Sequence, residues 1–69
     1  GTLGNMIFEG RLLGIENYLM IELIEMYHCF FPKNIEIDTS NIRSYCRAKD
    51  IMDDFDLILG LWVRCMYGR

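Results

Sequence analysis

Sixty-nine residues suffice for one domain, and a chain of this size buries only about 60% of the surface its unfolded form exposes, so stability is marginal. A net charge of −3 and an isoelectric point near 4.9 argue against a nucleic-acid module, whose backbone contacts require a basic stripe. The residues are 52% hydrophobic and 13% aromatic, more apolar material than so small a globule hides, and the surplus predicts a partner surface.

Residues 1–5, GTLGN, have no periodicity and precede the first methionine, so they are expected to be a remnant or linker outside a single domain of residues 6–69. In residues 6–15, MIFEGRLLGI, two short apolar pieces are separated by Gly10 and closed by Gly14, which predicts an extended segment or hairpin.

The strongest pattern follows, in YLMIELIEMYHCFF at residues 18–31. On a helical wheel Leu19, Met20, Leu23, Ile24, Met26, Tyr27, Phe30 and Phe31 share an arc of roughly 160°. Glu22, Glu25, His28 and Cys29 lie opposite, and Ile21 alone breaks the pattern. A long amphipathic helix should begin near Glu16 or Asn17 and end by Phe31, because Pro32 cannot continue it. Eight large apolar side chains on one arc, each worth about 1.5–3 kcal/mol when fully buried, make it the organiser of the core.

After a turn at Pro32, Lys33 and Asn34, the alternation of Ile35 and Ile37 with Glu36 and Asp38 predicts a short half-buried strand. Asp38, Thr39 and Ser40 are N-cap residues, and a helix is expected over residues 41–49. Asp53 or Asp54 can cap a last helix. Its stripe is Phe55, Ile58, Leu59, Trp62, Val63 and Met66, with Leu57 and Leu61 on another side. Gly60 in its middle predicts close approach of another backbone, and Gly68 ends it. The expected fold is therefore α+β and mainly helical: an N-terminal extended segment, a long amphipathic helix, a short strand and two packed helices.

Little chemistry is written in the chain. The longest apolar run, residues 57–63 with Gly60 inside it, falls far short of the ~18–20 residues a bilayer span needs. Cys29, Cys46 and Cys65 are odd in number and widely spaced, without a paired zinc motif or a secreted disulfide pattern. They read as reduced thiols of an intracellular protein. His28 and Cys29 are helix neighbours about 100° apart and cannot chelate one ion, so neither metal nor cofactor is expected. One histidine, two serines near helix starts and no nucleophile-elbow pattern argue against an enzyme.

From Leu12 onward the order of elements resembles the C-terminal half of a BTB/POZ domain, the interaction fold of adaptor subunits of cullin-based ubiquitin ligases. GRLLGIENYLMIELIEMYHCFF is similar to that family's apolar strand and following helix, through Met20, Leu23, Ile24, Met26 and Tyr27. NIEIDTSNI resembles its turn, short strand and helix start, through Ile35, Ile37, Asn41 and Ile42. AKDIMDDFDLI resembles its next run, through Ala48, Asp50, Met52, Asp56, Leu57 and Ile58. The FFPKN turn and Asp54 depart from the family pattern, and the family's first strands and helices have no counterpart before Met6.

The resemblance implies a dimerising or adaptor module, with a cullin-type scaffold as one partner. The apolar surplus separately predicts a non-enzymatic protein–protein interaction protein that forms homo-oligomers through Phe30, Phe31, Leu57, Leu61 and Trp62. The alternative is a small stand-alone regulator or inhibitor of phage or virus type that lays an apolar helix into a partner's groove. A weaker one is a thiol or metal sensor using the three cysteines and His28.

Overall fold

Gly10, which argues against a helix near the N-terminus, lies buried inside one. In the computed structural model, which describes residues 2–31, 33 and 35–67, Thr2–Leu12 form a helix, α1, with Met6 and Gly10 buried. A Cβ at Gly10 would lie 2.6 Å from Cε of Met20. The missing side chain leaves room for the end of Met20 on the second helix, α2 (Asn17–Phe30), against the roughly 1 kcal/mol that glycine costs inside a helix. The expected extended segment is therefore helical, and residues 2–5 form its first turn, with Leu3 packed against the core.

Gly14 ends α1 in the left-handed conformation, at φ 72°. Its N–H donates to the Arg11 carbonyl at 3.1 Å, and the Ile15 N–H donates to the Gly10 carbonyl at 2.9 Å. This is the Schellman pairing, which satisfies carbonyls that a helix end leaves open. The chain then enters α2, whose buried residues Leu19, Leu23, Met26 and Phe30 come from the arc the periodicity picks out.

The expected strand at residues 35–38 is absent. Ile35 and Ile37 are half-buried and Glu36 and Asp38 exposed, so the alternation is real. A strand also needs a paired neighbour, and the second extended segment that could have supplied one is helix α1. The segment instead anchors the start of α3 (Thr39–Ala48): Asp38 accepts from the Asn41 backbone N–H at 2.8 Å, and Asn41 Nδ2 donates to the Glu36 carbonyl at 2.9 Å.

Helix α3 ends like α1, but with an aspartate in the left-handed position. Asp50 has φ 58°, its N–H donates to the Arg47 carbonyl at 3.2 Å, and the Ile51 N–H donates to the Cys46 carbonyl at 2.9 Å. A single 3-10 turn, Met52–Asp54, leads into α4 (Phe55–Tyr67). The expected stop at Gly68 lies outside the described residues, as do Pro32 and Asn34 of the expected turn.

The result is an all-helical bundle of four helices with no strand among the described residues, which corrects the α+β expectation. Helices α1 and α3 both pack on α4, and α1 also packs on α2. The core joins Met6 of α1, the four buried residues of α2, Ile42 and Cys46 of α3, and Ile58, Leu61, Trp62 and Cys65 of α4. At its centre the Trp62 indole N–H donates to the Met26 sulfur at 2.8 Å, so the largest buried side chain has its polar atom satisfied.

Candidate interaction surface

The five residues expected to meet a partner divide sharply. Phe30, Leu61 and Trp62 are 3%, 1% and 1% exposed and belong to this chain's own core. Phe31 is half-buried, stacked on Tyr27 at 4.6 Å and on Trp62 at 6.1 Å between ring centroids. Leu57 alone is open, at 42%. The buried side of α4 contains Leu61 because α1 and α3 both pack on this helix, so its contacts extend around more than one stripe.

The apolar surface lies elsewhere. Phe8 and Leu12, one turn apart on α1, are 60% and 66% exposed. Tyr18 and Ile21 are exposed on α2, Leu13 beyond the end of α1, and Met52 in the 3-10 turn. On α4, Leu57 and Val63 flank Gly60, which is also exposed and has no atom within 4 Å of where a Cβ would stand. The close backbone approach that Gly60 predicts is therefore not made among the described residues. Ile21 could be found from its place outside the α2 arc. Phe8 and Leu12 could be found only by reading residues 6–15 with a helical period.

Polar contacts fix the edges of these patches. Glu9 of α1 and Arg64 of α4 form an ion pair, with Nη2 at 2.8 Å and Nε at 3.0 Å from one carboxylate oxygen. Lys49 meets Glu25 at 3.5 Å, and Tyr18 donates to Asp54 at 3.0 Å. Arg43 lies over the Phe55 ring, 5.1 Å from its centroid. Tyr45 donates to Glu22 at 3.3 Å, and burial together with that carboxylate pushes its phenol well up from the usual range.

Between the start of α3 and α4 lies a cleft of about 230 Å³ lined in part by Ile42, Leu59, Trp62 and Val63, with Glu36 and Asp38 also facing it. That is below the ~300–1,000 Å³ of small-molecule sites, and matches a single side chain of a partner better.

The reactive side chains are dispersed. Among the described residues no group of three or more His, Cys, Asp or Glu could hold a metal ion. His28 donates from Nδ1 to the Ile24 carbonyl at 3.0 Å, the previous turn of its own helix. Cys46 and Cys65 are buried, and burial pushes both thiols up, away from the thiolate form that reactivity requires. Cys29 is half-buried. No described helix is long and apolar enough to cross a membrane. No known protein family, curated protein or solved structure compared with the chain matches it.

Proposed function

We propose that this protein is a non-enzymatic protein–protein interaction module that associates through apolar side chains left outside its helical core. The observation that carries this reading is the set of eight large apolar residues, from Met52 at 38% to Leu12 at 66% exposure, on a chain of 69 residues. Of the BTB/POZ-like expectation it keeps the interaction class alone, since neither strand implied by that resemblance is present among the described residues. Nothing on the surface singles out a cullin-type scaffold.

A second reading draws on Phe8 and Leu12. Their i, i+4 spacing is that of the anchors of a helix laid into a groove, which suits a small regulator docking α1 on a larger partner.

Analytical ultracentrifugation at ~100 μM tests the first reading, a concentration at which weak interfaces populate the complex. The chain should associate, and a variant with Phe8, Leu12, Ile21, Leu57 and Val63 all changed to Gln should remain a monomer. A clean monomer for the unchanged chain sinks the reading in its self-associating form.

A further inference from the structure

Resting on the interaction reading above, we infer that the outer face of α4 pairs with the same face of a second copy, the two helices antiparallel about a two-fold axis beside Gly60. The exposed residues of α4 are Asp56, Leu57, Gly60, Val63 and Arg64; its other residues with described side chains are buried or half-buried. Counted from Gly60 they stand at −4, −3, 0, +3 and +4, which on a helix is an arc of about 120° centred on the glycine.

This pattern is symmetric in position and complementary in character. It has an acid at −4 and a base at +4, an apolar residue at −3 and at +3, and no side chain at the centre. A two-fold axis that reverses the helix brings Asp56 and Leu57 of each copy level with Arg64 and Val63 of the other, the self-complementary arrangement a two-fold interface demands. Parallel pairing of the same faces would set Asp56 against Asp56 and Arg64 against Arg64. Each copy carries a net charge of −3, so two copies approach best where acid meets base. Arg64 already holds Glu9 through Nε and Nη2, and a guanidinium has five N–H donors, which leaves Nη1 for the second copy's carboxylate.

The glycine distinguishes this face from an ordinary solvated one. A Cβ at Gly10 would meet the end of Met20, whereas none of the described residues stands within 4 Å of a Cβ at Gly60. Within one copy the residue brings only the helix cost of glycine. Between copies it allows two axes to approach near the lower end of the ~8–10 Å range for packed helices, with Leu57 and Val63 closing over the contact. One helix pair of 13 residues covers less than the ~1,200–2,000 Å² of a stable complex, so the dimer is a weak one.

Sedimentation equilibrium of the full chain over ~10–300 μM, with urea unfolding of every variant, tests this. Gly60→Gln should weaken dimerisation at least ~10-fold without lowering the urea midpoint, because the added side chain meets partner backbone and nothing in its own fold. Asp56→Arg should weaken it by a similar factor, and adding Arg64→Asp should recover most of that loss. Gly60→Cys should give a covalent dimer on mild oxidation, since a residue beside the axis faces its own copy. Dimerisation that survives both Gly60→Gln and Asp56→Arg overturns the α4 face and leaves the interaction reading standing. A chain that stays monomeric at the top concentration overturns both this pairing and the self-associating form of the interaction reading.

Discussion

Helices α2 and α4 are alike in length and apolar content but not in how they distribute it. Helix α2 buries Leu19, Leu23, Met26 and Phe30 and turns Glu25 and His28 outward. Helix α4 buries Ile58, Leu61, Trp62 and Cys65, yet also shows Leu57 and Val63 on the opposite side. Each helix also shows two large apolar side chains outward, but Tyr18 and Ile21 of α2 lie among Asn17, Glu25 and His28, whereas Leu57 and Val63 of α4 flank an exposed glycine. Hydrophobicity alone does not decide which residues are buried; the neighbours that reach them do.

The largest effect expected from breaking this comparison is on the core side of α2. Leu23 is 0% exposed, and Leu23→Ala should cost about 2–5 kcal/mol in urea unfolding, most of what a domain this small has. If it costs no more than a surface change, α2 does not organise the core.

Next comes the bond that ties the two helices together. Met26→Leu conserves volume, and such swaps usually cost less than ~1.5 kcal/mol, but here it strands the Trp62 N–H in an apolar interior. The expected loss is about 1–3 kcal/mol, and Trp62→Phe introduced beside it should remove the polar part of that penalty.

Alkaline pH sharpens the comparison through the thiols. Burial raises the folded-state pKa of Cys46 and Cys65, so the folded state holds those protons more tightly than the unfolded chain does. Their stabilising contribution is complete below the unfolded thiol value of about 8.5 and is lost as pH rises through the folded values. The urea midpoint should therefore fall between pH ~8 and ~10, and Cys46→Ala should flatten that fall.

The smallest effect belongs to the outer face of α4. Leu57→Gln and Val63→Gln should each change the stability of the monomer by no more than about 0.5 kcal/mol, measured at concentrations too low for association. A loss comparable to that of Leu23→Ala would mean that these side chains belong to the core.

The sequence shows α2 and the cap of α3 plainly, because both are local. A wheel of residues 18–31 needs no knowledge of the rest of the chain, and Asp38 reaches only as far as Asn41. The N-terminal helix is hidden because its decisive contact, Gly10 against Met20, joins two elements. The strand fails for the same reason: the alternation at residues 35–38 is visible, but the absence of a pairing partner is a property of the whole fold. The exposed apolar surface is only partly legible in the sequence. Leu57 stands out from the main stripe of α4, whereas Val63 belongs to that stripe on the wheel and is 47% exposed in the fold. Which side of a doubly apolar helix is covered depends on where α1 and α3 pack.

The pairing of Glu9 with Arg64 joins residues 55 positions apart, and this sets an order on synthesis. At roughly 5–20 residues per second, Arg64 is made about 3–11 s after Glu9. In that interval α1 can fold back on α2 through Gly10 and Met20, a short loop to close, but it has no α4 to pack against. Helix α1 is thus fully secured only after α4 is made, when Met6 and Leu3 join the shared core.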